Sequence, residues 1–125
     1  MVAGVITGNG APADPAPDGM PGPPRPGFKA RSDDDGTIII VLTGDLDIVN
    51  RSWLARRFAE IMKRQPRRLV IDMAEVGFAD SATLRLIVRA GQVLPDGGRP
   101  VIRHPRPVVR RVLQITGLDT QCDLT

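Results

Sequence analysis

The sequence has little of what most enzymes, secreted proteins and membrane proteins are built from, and each shortage removes a class of function. It holds one cysteine, Cys122, so no internal disulfide can form, and the expected compartment is the cytoplasm. His104 is the only histidine, and no second histidine, acid or cysteine stands at ligand spacing from it. It reads as a loop residue rather than a metal ligand or a catalytic base. No GxSxG elbow surrounds Ser81 and no GxxxxGK loop occurs, so neither a hydrolase nucleophile nor a phosphate cradle is encoded. No enzymatic activity and no cofactor are expected. No apolar stretch is long enough to cross a bilayer, and the start MVAGVITGNG lacks the basic n-region and long apolar run of a signal peptide. A free-standing soluble domain without membrane contact is the expectation.

Aromatic residues make up only 3% of the chain. Their scarcity bears on the basic clusters, Arg56, Arg57, Lys63, Arg64, Arg67 and Arg68, then Arg103, Arg106, Arg110 and Arg111. A nucleic-acid surface would interleave such residues with rings that stack on bases, and none interleave here. Zinc, helix-turn-helix and RNA-binding signatures are also missing. Acids offset most of the cations, leaving a formal charge of +3, so the clusters read as a solvated surface and no direct nucleic-acid partner is expected.

Residues 1–27 carry prolines at 12, 15, 17, 21, 23, 24 and 26 among glycines, with almost no large apolar side chains. Such a segment cannot bury enough surface to offset the entropy of ordering it, and it reads as a disordered tail. Residues 28–125 are left to form one domain with a modest core.

Within that domain, Phe28 to Arg31 suits a short edge strand, and Asp35-Gly36 a tight hairpin turn. Thr37 to Thr43, TIIIVLT, is a buried strand closed by Gly44, Asp45, Leu46 and Asp47. Leu54, Phe58, Ile61 and Met62 mark one face of a helix from Asn50 to Arg64, with Asn50 or Ser52 as cap and Pro66 as stop. Leu69 to Met73 reads as a central strand covered on both faces, followed by a turn, AEVGFAD. From Ser81 the helical period returns. Leu84, Ile87, Val88, Gly91 and Leu94 form one face and Leu86, Ala90 and Val93 lie beside it, leaving a polar stripe of Ser81, Arg85, Arg89 and Gln92. A helix this apolar must be covered on more than its sheet side, by another helix or by a partner. Asp80 and Ser81 both suit its N-cap. PVIR gives a short strand, Val108 to Ile115 a third helix ending at Gly117, and LDTQCDLT a candidate last strand. The alternation predicts an α/β fold, a mixed, mostly parallel sheet of four to five strands with helices packed on it.

The string VIDMAEVGFADSATLRLIVRA resembles the signature of the STAS family, the sulfate transporter and anti-sigma factor antagonist domains. In that signature an acidic strand end leads to Asp-Ser-Ser/Thr-Gly-Leu. Asp80, Ser81 and Leu84 fall on motif positions, while Ala82 stands for the usual Ser or Thr and Thr83 for the usual Gly. GDLD, about thirty-five residues upstream of the Asp-Ser pair, resembles the family's Gly-Glu/Asp-Leu-Asp. The resemblance covers roughly residues 28 to 124 and implies an anti-sigma factor antagonist. Its implied partners are an anti-sigma factor with a kinase-type ATPase domain, which phosphorylates the Ser after Asp, and a phosphatase that restores it. Carried over, the acceptor is Ser81, and the partner-binding residues are Asp45, Asp47, Asp80, Ser81, Ala82, Thr83 and Arg85. Arg85, one turn on, is placed to reach back to a phosphate. A second role the resemblance allows is a STAS scaffold subunit of a transport or stress-signalling complex that is not phosphorylated.

Overall fold

The computed structural model describes residues 5–7 and 27–125. Its sheet has six strands in sequential order: β1 (Val5–Thr7), β2 (Gly27–Ser32), β3 (Thr37–Leu46), β4 (Arg68–Ala79), β5 (Val101–Arg103) and β6 (Asp123–Leu124). β1, β2 and β3 pair antiparallel, and β3 through β6 pair in parallel. This is the mixed, mostly parallel sheet expected, with one strand added at the β1 edge. The segment expected to be a tail, residues 1–27, lies mostly outside the described residues. Its described pieces are Val5–Thr7, in register with Arg31 to Lys29, and Gly27, the first residue of β2.

Parallel neighbours that follow one another in sequence need a crossover helix each, supplied by α1 (Arg51–Met62), α2 (Ser81–Ala90) and α3 (Pro107–Thr116). Right-handed crossovers between adjacent strands all fall on one face of the sheet. The helices accordingly touch in the order α1, α2, α3. Between them and the sheet lies the core, where Phe28 and Ala30, Ile38, Ile40 and Leu42, and Leu69, Ile71 and Met73 alternate inward along their strands. Leu54, Phe58, Ile61, Leu84, Ile87, Val88, Val109 and Leu113 meet them from the helices. The central strand was expected to be covered on both faces. Helices cover one, while on the other Ile39 and Val70 are buried but Lys29, Arg31 and Val41 are exposed.

Three of the few aromatic rings fix α1 to the sheet. Phe28 stands edge-to-face with Trp53 and Phe58, at centroid distances of 6.2 and 5.6 Å, and the Arg57 guanidinium lies over the Phe28 ring at 5.6 Å. At the far end of α2, Gly91 lets the helix pass against Pro100, since a Cβ there would lie 2.5 Å from Pro100 Cβ. Cys122 is buried, and burial pushes its thiol up to about 11, which keeps it protonated at neutral pH.

Both central strands run further than their apolar stretches. β3 continues through Gly44 and Asp45 to Leu46, and β4 takes in AEVGFA, which was expected to turn. The two pair throughout, with register shifts between Val41 and Thr43 and between Gly44 and Asp45. Gly44 supplies the positive φ, +92°, that this bulged ladder requires. Beyond Asp72, β4 has β3 on one side but no β5 partner on the other. Part of that edge is satisfied locally. Asp72 Oδ1 accepts from the Ala74 amide at 3.0 Å, and Arg106 Nε donates to the Ala74 carbonyl at 2.8 Å while its guanidinium pairs with Glu75 at 3.4 Å.

Candidate functional site

The extended ends of β3 and β4 bring the GDLD segment beside the start of α2. Asp45 pairs with Phe78 and Leu46 with Ala79, and the Asp80 amide donates to the Leu46 carbonyl at 2.9 Å. The two segments that carry the motifs therefore meet at the carboxyl end of the parallel strands. This is where α/β sheets commonly place their binding sites, because the loops leading into the helices converge there.

Of the two residues suited to the N-cap, the structure assigns Asp80. Its backbone is extended, with φ −81° and ψ 162°, and Oδ1 accepts from the Thr83 amide at 2.7 Å. Ser81 is then the first residue of the helix. It is exposed, and its hydroxyl makes no hydrogen bond among the described residues. Because a carboxylate already serves as the cap, the serine hydroxyl is left to solvent at the positive end of the helix.

Asp80 is also held from the side. The Arg51 guanidinium, from the first turn of α1, donates through Nη2 to Oδ2 at 3.1 Å and Oδ1 at 3.3 Å, and through Nε to Thr83 Oγ1 at 3.3 Å. Burial of the Asp80 carboxyl would raise its pKa. The hydrogen bonds from Thr83 and the charge and hydrogen bonds of Arg51 outweigh that and hold it below the ordinary value of 3.8. One cation thus ties the start of α1 to the start of α2. Sequence reading missed Arg51, for its partners lie 29 and 32 residues away and no local spacing announces the contact.

The other site residues divide in two groups. Ala82 and Arg85 are exposed on α2 near Ser81, and Asp45 is exposed on the adjoining strand. Asp47 serves its own loop. Its Oδ1 accepts from the Val49 amide at 3.1 Å and from Asn50 Nδ2 at 3.3 Å. Asn50 precedes α1 without capping it through its side chain, which is turned back to Asp47 and to the Asp45 carbonyl at 3.1 Å. Thr83 was expected to face a partner, and this is corrected: it is 0% exposed, its side chain turned inward to Arg51. Thr83 therefore adds nothing to the outer surface of the first turn.

Three apolar residues that sequence reading passed over frame the site. Ile48 and Val49, in the loop after GDLD, are 71% and 60% exposed, and Phe78, paired with Asp45, is 45% exposed. The chain has three phenylalanines, one tryptophan and no tyrosine. The other three rings are packed together in the core, so Phe78, three residues before Ser81, is the one spent on the surface. That contrast was available from composition, but only once Phe78 was known to lie in a strand end and not a turn.

The class these features define is an α/β domain with an exposed helix-start serine flanked by acidic and apolar loops. The sequence profile of the family described as "Mlab, STAS domain" matches residues 30–125. The chain belongs to the STAS-domain family. It is 24% identical over 88 residues to the anti-sigma-F factor antagonist RsfB of Mycobacterium tuberculosis, covering 70% of this chain and 72% of RsfB. To BtrV of Bordetella bronchiseptica it is 31% identical over 84 residues, covering 66% and 72%. A crystal structure of an anti-sigma factor antagonist from Mycobacterium paratuberculosis superposes with a TM-score of 0.70 at 25% identity, over 79% of this chain and 84% of that one.

Proposed function

We propose that the protein is an anti-sigma factor antagonist of the cytoplasm that binds a kinase-type anti-sigma factor and is released from it by phosphorylation of Ser81. The observation that carries the reading is the state of Ser81, a solvent-facing hydroxyl at the first position of α2 with Asp80 doing the capping. Modification there consumes no structural hydrogen bond, and a helix start stabilises the added negative charge. The fold is therefore kept in both states. What changes is the surface. Ile48, Val49 and Phe78 offer apolar contact area at the same end of the sheet as the serine, and a partner that closes over that end would have to desolvate a phosphate there. Asp45, Ala82 and Arg85 complete the contact face, and a phosphatase would reset it.

A STAS scaffold subunit that is never phosphorylated is the alternative reading, and the arginine-rich helices are the feature in its favour. Phosphosite mapping by mass spectrometry, on protein recovered from its own cells with phosphatases inhibited, separates the two. The switch predicts phosphate on Ser81 and none on the buried Thr83. A protein that is unmodified under every growth condition, or modified only elsewhere, would favour the scaffold.

A further inference from the structure

α1 and α2 leave a groove between them on the outside of the helical layer. Phe58 lies at its base, Ala59 and Met62 line one side, and Leu86, Ala90 and Val93 the other, around a hollow of about 260 Å³. Alanines at 59 and 90 keep it open where larger side chains would interdigitate and close the gap. Past the ends of both helices, Met62 and Val93 also border a second hollow of about 530 Å³, so the depression is continuous. Its apolar flank is the row Leu86, Ala90 and Val93, which the sequence left in need of cover, and Val93 is 72% exposed.

Charge says what kind of cover fits. α1, α2 and α3 together carry seven arginines and a single acid, Glu60, and Glu60 is paired with Arg57 at 3.3 Å. Arg85 and Arg89 stand exposed beside Leu86 and Ala90, and Lys63 is exposed after the last turn of α1. A second copy applied by a two-fold axis would set these arginines against themselves.

We infer that the groove receives an amphipathic helix of a partner protein whose apolar stripe is flanked by aspartates and glutamates. The lining from Ala55 to Met62 and from Leu86 to Val93 extends for about 10 Å along the helices, matching apolar anchors at i, i+3 or i+4, and i+7. Flanking carboxylates one turn apart meet Arg85 and Arg89, which have the same spacing. The surface lies along the later turns of α2, and of the residues named for it only Arg85 is shared with the face around Ser81.

The test is selection from a displayed library of randomised helical peptides of about 16 residues against the whole chain, followed by affinity measurement. Enriched peptides are expected to carry apolar residues at helical spacing with Asp or Glu alongside. Their affinity should fall at least about tenfold on Ala59→Trp, which fills the groove, on Val93→Asp, which sets a like charge on its rim at an exposed position, and on Arg89→Glu. Ile115→Ala, an exposed change on α3 outside the groove, should leave it unchanged. Failure to enrich any peptide would overturn the inference, as would basic flanks or equal binding to the filled and open proteins. Displacement of the peptides by duplex DNA at 0.15 M salt would assign the face to nucleic acid instead.

Discussion

At the scale of single residues the site depends on a division of labour between neighbours. Asp80 carries the structural task, and Ser81 is relieved of it. Ser81→Ala is therefore expected to change stability by less than about 0.5 kcal/mol, whereas Asp80→Ala should cost about 1 kcal/mol for the lost cap, and somewhat more because Arg51 loses its carboxylate. Denaturant melts of the two variants check this. The acid limb supplies a second readout of the same contact. The folded-state pKa of Asp80 lies below its ordinary 3.8, so the stabilisation is fully present above about pH 4 and is lost as pH falls through the lowered value. The stability gap between the parent and Asp80→Asn should accordingly shrink as the pH is taken below 4. An unchanging gap would mean that Arg51 and Thr83 do not favour the ionised carboxyl. Thr83 is the position at which sequence reading and structure part most clearly. By its place in the motif it was carried over to the partner surface, but the helical period sets it one turn before buried Ile87, and its hydroxyl accepts from Arg51 of α1.

Among elements, what was legible followed the apolar period. The cores of β3 and β4, the faces of the three helices and the stop at Gly117, whose φ of +77° gives the left-handed cap, were all in the residues. The second half of β4 was not. Its buried positions run Met73, Val76 and Ala79, a spacing of three produced by the bulged register, and the period-two signal of a strand is lost. Glycine at 77 and acid at 75 also argue for a turn, and the pairing that overrides them comes from GDL in β3, which is non-local. The candidate site was thus readable as two motifs but not as one surface, because the strand extension that joins them has no local signature. Packing at the other end of α2 offers a direct test. Gly91→Ala would drive a methyl into Pro100, and it is expected to destabilise by about 1 to 3 kcal/mol through displacement of β5 from α2, measurable as a lower thermal midpoint. A neutral effect would mean that this close approach is not maintained.

For the whole molecule, the fold sets the core apart from the candidate site. The core cluster begins at Phe28 and is closed by helices on one face of the sheet, while the exposed apolar residues Ile48, Val49 and Phe78 gather at the carboxyl end of β3 and β4. Removing residues 1–26 takes away the short ladder between Val5–Thr7 and β2 and leaves every described residue of that cluster in the chain, so the thermal midpoint should fall by less than about 5 °C. A larger loss would give the segment a part in holding the domain together. The central claim, that charge at Ser81 controls partner binding without touching the fold, is tested most directly by calorimetric titration. The titrant is the anti-sigma factor co-purified from the native cells, added to the parent protein, to Ser81→Ala and to Ser81→Asp. Parent-like affinity is expected for Ser81→Ala and at least about tenfold weaker binding for Ser81→Asp, about 1.4 kcal/mol, with both variants melting as the parent does. Equal affinities for the Ala and Asp variants, with both folded, would contradict it.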